Sequence, residues 1–199
     1  MNDNLKSLTI KRKTGDERFY KGNLQTEFNL LGFWQWSCSD LVSNALRGML
    51  AEYIVACDLG LDAGTRKEWD AYDLRTPDGI KIEVKSAAYL QSWKQNQLSK
   101  IYFDIRPTYG WDATTNTFST ERKRQADIYI FSILKHTLKS TLDPLNLDQW
   151  DFYVLPGTVL DQKMPDQKTI TLAMLLRFNP VKAEFGKIKE AIYSLLQLR

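Results

Sequence analysis

The chain has 199 residues, of which 43% are hydrophobic, 26% charged and 12% aromatic. That balance supports one sizeable buried core and excludes a disordered or collagen-like chain. The formal net charge of +3 and the pI of about 8.7 permit a nucleic-acid partner without demanding one.

Positive charge is concentrated in two runs, Lys11-Arg12-Lys13 and Arg122-Lys123-Arg124. Each also fits an ordinary solvated loop. Cys38, Cys57 and the lone His136 have no zinc-ligand spacing, so free thiols are expected. No segment resembles an apolar leader or reaches the roughly 18 apolar residues of a membrane span. A single domain over 1–199 is expected, cytoplasmic, off the membrane and without an organic cofactor. It divides into an N-terminal extension (1–38), a core (40–156) and closing strand and helix elements (157–199).

In chain order, residues 1–18 read as a polar, basic arm. The aromatic-rich stretch 28–37 is expected to pack over the core as a lid or extension. Ser39 or Asp40 can cap a helix over 41–59, which stops at Gly60. Residues 69–76 read as a strand. Pro77-Asp78-Gly79 is a strong turn signal, and 80–87 forms the return strand of a hairpin. A third strand is expected over 100–106, then a long polar loop over 107–125. Strands follow at 126–134, 151–155 and 169–171. A short helix then runs to 178 and an amphipathic helix over 182–198. The order predicts an α/β fold with a central mixed β-sheet flanked by helices.

Chemistry concentrates on the hairpin. Alternation along a strand places Glu83 and Lys85 on one face, with Ile82 and Val84 on the apolar face behind. With the turn centred on Asp78, Asp73 lies across from Glu83, at a Cβ separation of about 4.5–5.5 Å. A one-residue change of register would bring Asp70 there instead. Two carboxylates so close repel unless a cation lies between them. Mg²⁺, which binds one or two carboxylates together with substrate phosphate, satisfies such a pair. A surface ion-pair patch uses the same residue types.

Glu52 adds to this. On a helical wheel it is the only charged residue among Leu41, Ala45, Gly48, Met49, Val55, Ala56 and Leu59. A charge on an apolar face is paired or coordinating; the alternatives are a carboxylate reaching solvent or pairing with a core arginine. Gly48, one turn before it, leaves space beside the carboxylate.

A helix carrying Glu52 in Arg47-Gly48-Met49-Leu50-Ala51-Glu52-Tyr53, then Asp73, then Glu83-Val84-Lys85, resembles the PD-(D/E)XK nuclease superfamily over residues 40–156. No proline precedes Asp73, a departure from the motif's name. The resemblance implies a restriction-endonuclease-like core and Mg²⁺-dependent hydrolysis of DNA, with Mn²⁺ as a substitute. It implies that Asp73, Glu83 and the backbone carbonyl of Val84 hold the metal, with Glu52 as an outer ligand or beside a second ion, and that Lys85 acts on the attacking water.

Gln91, Trp93 and Lys94 follow the lysine strand. With Arg122, Lys123 and Arg124 they are candidates for substrate contact, since basic groups interleaved with aromatics suit phosphates and bases. A homodimer is the expected arrangement if both strands of a duplex are cut. The competing expectations are a non-catalytic nucleic-acid-binding module that keeps the nuclease fold, and an unrelated α/β protein whose carboxylates form structural ion pairs.

Overall fold

A computed structural model describes residues 8–68, 70–112 and 115–196. The expectations for residues 1–7, Trp69, 113–114 and 197–199 lie outside the described residues. A five-stranded mixed sheet is central, in the order β11 (Val181–Ala183), β9 (Trp150–Pro156), β8 (Ile128–Leu134), β4 (Lys81–Ala88), β3 (Leu74–Arg75). β4 and β8 are parallel and the other neighbours antiparallel. All seven residues of β8 are buried, because both faces of this central strand are covered.

On one face α2 (Asn44–Leu59) and α5 (Ile188–Leu196) pack Ala51, Ile54, Val55, Ile188 and Ile192 against Ile82, Val84, Ile128 and Ile130. On the other, α3 (Gly157–Lys163), α4 (Leu172–Arg177) and the pair β5 (Tyr102–Asp104) with β10 (Thr169–Thr171) cover Tyr129, Phe131, Ile133 and Leu155. Each fully buried aliphatic or aromatic side chain contributes about 1.5–3 kcal/mol. The mixed α/β expectation with helices flanking the sheet therefore holds. No helix among the described residues is long and apolar enough to cross a membrane.

The helix expected from residue 41 begins at Asn44. The Asp40 carboxylate accepts the N–H groups of Val42 and Ser43, which holds the chain in a turn. It ends as expected at Gly60, whose left-handed φ of 71° allows the cap N–H groups to return to Ala56 and Cys57. The turn at 77–79 also forms, with Thr76 N–H donating to Ile80 C=O at 3.0 Å and Gly79 at φ 95°.

Four expectations are corrected. The strand over 69–76 shrinks to Leu74–Arg75, because the Asp73 carboxylate takes over a ladder position. The loop over 107–125 is a ribbon of β6 (Thr108–Asp112) and β7 (Thr117–Lys123), both largely polar and so without an apolar signature. The closing helix begins at Ile188, since Val181–Ala183 pairs with β9 as an edge strand. The stretch 28–37 does not pack over the core. It spans the end of the hairpin β1 (Arg18–Lys21) and β2 (Leu24–Asn29) and most of α1 (Leu30–Cys38), a helix with no buried residue. The sequence gives no sign of α3 either. Gly157 starts it, where a Cβ would lie 2.5 Å from the Ala126 carbonyl, so only glycine fits.

Candidate active site

The register of the β3–β4 hairpin pairs Leu74 with Ile82 and Arg75 with Lys81, which carries Asp73 to the level of Glu83. The Asp73 N–H donates to Ile82 C=O at 3.0 Å, and its carboxylate accepts the Val84 N–H at 2.7 Å. Those bonds fix the side chain at the end of a two-residue edge strand. Asp70 is exposed and lies further back along the loop.

Glu83 and Lys85 sit beside Tyr129 and Phe131 of β8, on the face away from α2. Glu52 approaches from the α2 face. The sheet ends at β3, so Asp73 lies at an open edge, near enough to Glu83 and Glu52 for both to act on it electrostatically. The Asp73 pKa records this: burial, then Glu83, then Glu52 push it up to about 7, against the Val84 N–H and Lys85. The Lys85 ammonium lies 2.5 Å from the Glu83 carboxylate. Burial pulls its pKa down, but Glu83, Asp73 and Asp104 more than reverse this, and it stays charged.

Glu52 accepts a two-pronged pair from Arg66, with Nε at 2.5 Å and Nη2 at 3.0 Å. One alternative read for Glu52 was an arginine partner. The partner is a loop residue, whereas the buried cation on α2 is Arg47, which does not bond Glu52. Arg47 bonds Val42 C=O, Asn44, Ser86 and Gln91, all neutral acceptors. Gly48 does face open space, with nothing within 4 Å of an added Cβ.

Three carboxylates on three elements are hard oxygen donors, and the Asp73 charge, disfavoured first by burial and then by Glu83 and Glu52, is one that a divalent cation would stabilise. The donor set thus fits Mg²⁺ in chemistry. Among the described residues, however, no three or more His, Cys, Asp or Glu side chains already stand together as a metal cluster. Glu52 and Glu83 are turned onto Arg66 and Lys85.

The other candidates lie apart. Gln91 is buried, bonding Ala88 C=O and Ser99 while accepting from Arg47, so it ties the end of β4 to α2. Trp93 is exposed and offers its carbonyl to Lys139; Lys94 is exposed. Arg122 and Lys123 are exposed on the ribbon, Arg122 lying 4.9 Å over the Tyr109 ring. Arg124 is buried and fully engaged by Ile105 C=O, Met164 C=O and Asp161. His136 pairs with Thr141.

Sequence reasoning missed Arg66, which follows α2 in a loop with no periodicity to mark it. It also missed the cleft of about 410 Å³ between α2 and the 61–75 segment, whose walls include Arg12, Arg66, Lys67 and Arg75. Arg12 reaches it by donating to Asp62 C=O at 3.0 Å.

Fold and site together define a mixed α/β protein with acidic groups and one lysine at an open sheet edge, beside a cleft lined by both basic and acidic side chains. The family model of bacteriophage T4 endonuclease IV matches residues 2–174, and the chain belongs to that family of phage endonucleases. No curated protein shows significant similarity to it.

Proposed function

We propose that this chain is a Mg²⁺-dependent endonuclease acting on DNA, with a site of the PD-(D/E)XK type. The observation that carries the reading is Asp73 set level with Glu83 at the sheet edge, with Lys85 on Glu83. Membership of an endonuclease family supports the reaction class.

Asp73, Glu83 and the Val84 carbonyl would hold the ion, with Glu52 as a further carboxylate. When bound, the ion supplies charge stabilisation at the scissile phosphate and a more acidic water. Lys85 stays charged beside Glu83. It is placed to hold the attacking water and to stabilise negative charge that develops on the phosphoryl oxygens. Val84 N–H anchors the Asp73 carboxylate, so that group keeps its direction whether or not its charge is neutralised. Arg122, Lys123, Trp93 and Lys94 are exposed and free to meet a polymer backbone away from the corner.

A panel of linear, circular, single-stranded and branched DNA, with RNA alongside, tests this in Mg²⁺, Mn²⁺ and EDTA. DNA cutting is expected with either metal, none in EDTA, and a loss of about 10²–10³-fold with Lys85→Ala. Intact DNA under every condition, or salt-dependent binding without cutting, would replace the reading with a binding module.

A further inference from the structure

We propose that Arg66 is a phosphate-binding residue, held on Glu52 while the protein is free of substrate and transferred to the nucleic-acid backbone when Glu52 is drawn toward a metal ion. The inference rests on the reading above and adds a residue and a groove to it.

A guanidinium presents its N–H groups as a rigid fork, which fits a carboxylate and a phosphate equally well. Arg66 uses that fork on Glu52 at 2.5 and 3.0 Å. The pair is asymmetric: the Arg66 side chain is 40% exposed and that of Glu52 13%. Arg66 sits in the loop between α2 and β3, outside any helix or strand, whereas Glu52 is fixed mid-helix. The Arg66 end of the pair is open to solvent, so water or a phosphate can take over its N–H groups when it leaves, while the less exposed Glu52 then needs another cation.

Leaving places it in the cleft, which is of the size that encloses a small organic group. Arg12, Lys67 and Arg75 share the lining with Glu52, Asp62, Asp70 and Asp73, so the charge there is mixed, and a metal ion on the carboxylates would leave the cations in excess for a phosphate. Asp73 also lines the cleft, which places the acidic corner beside the groove rather than across the molecule from it. One carboxylate, Glu52, thus faces two claims. A divalent cation competes with Arg66 for it, and the released fork faces a phosphate.

Calorimetric titration with Mn²⁺ alone is the first test. Arg66→Ala is expected to bind Mn²⁺ about tenfold more tightly than the native chain, because it frees Glu52 and removes a positive charge. The second uses a short fluorescein-labelled DNA oligonucleotide on Lys85→Ala protein, in which cutting is slowed. Adding Arg66→Ala is expected to lower DNA affinity about tenfold in Mn²⁺ and to change it little in EDTA. Equal Mn²⁺ affinity in native and Arg66→Ala proteins overturns the assignment. So does an equal loss of DNA affinity with and without metal, or a fall in both affinities together with the melting temperature. A native chain that takes up no Mn²⁺ fails at the earlier reading and takes this one with it, whereas native uptake with an unchanged variant sinks Arg66 alone.

Discussion

The corner at the end of β3 and the β6–β7 ribbon both attracted attention through charge, and the structure treats them oppositely. At the corner, Asp73, Glu83, Glu52 and Lys85 are half-buried and bonded across three elements. On the ribbon, Glu121, Arg122 and Lys123 are exposed, and the one buried basic residue beside it, Arg124, is spent on carbonyls and Asp161. An exposed charge costs almost nothing to keep, whereas a half-buried one carries a desolvation penalty that requires a partner or a task. The corner has cationic partners for Glu52 and Glu83, whereas Asp73 accepts the Val84 N–H in a place where burial and then two carboxylates disfavour its charge.

That contrast breaks first on activity. Lys85→Ala is expected to lower DNA cleavage by about 10²–10³-fold, the loss typical of one charge-stabilising group, while Arg122→Ala changes it less than about threefold. Single-turnover assays on both variants measure it, and equal losses would erase the distinction.

Next is stability. Arg124→Ala is expected to cost about 3 kcal/mol in urea unfolding, because the Ile105, Met164 and Gln167 carbonyls and Asp161 lose their donor. Cleavage per folded molecule is expected to persist; if stability holds and cleavage falls, Arg124 belongs to the site after all.

The third effect is on pH. A carboxyl whose folded pKa lies above its unfolded value binds its proton more tightly when folded, so ionisation works against the fold. Metal-free protein is thus expected to lose stability as pH rises from about 4 through about 7, by roughly 2–4 kcal/mol. Asp73→Asn, whose side-chain oxygen still accepts the Val84 N–H, should flatten that slope. Urea midpoints across this range decide it, and an unaltered slope in the variant would place the proton elsewhere.

The smallest effect concerns the ribbon. Lys123→Ala is expected to weaken DNA binding modestly and to reduce the salt dependence by about one unit of slope, the signature of one phosphate contact. An unchanged slope would remove the ribbon from the interface.

What the sequence made legible follows the same physics. The β4 strand announced itself by strict alternation, and Pro77-Asp78-Gly79 fixed the register that brings Asp73 level with Glu83. Glu52 stood out on its wheel. Arg47 did not, because its four acceptors come from loop, strand and helix positions scattered along the chain. The ribbon hid because its few aromatics, Tyr109, Trp111 and Phe118, are scattered among polar residues and meet one another or Arg122 across the strands, and the β1–β2 hairpin because all but two of its strand residues are exposed. The stretch 28–37 read from its aromatics as a lid or extension packed over the core, yet Phe28, Phe33 and Trp36 face solvent. Aromatic content signals surface area to cover, and here the core does not cover it.

The parallel pairing of β4 with β8 has a consequence for how the enzyme comes into being. Lys81 N–H meets the Asp127 carboxylate across 46 residues of chain, and the strand bearing Glu83 and Lys85 has no long neighbour until β8 arrives. Such distant pairings close late and slowly. On the ribosome Lys85 is therefore made well before the strand that holds it in place, and the corner around it takes shape only after β8 has emerged.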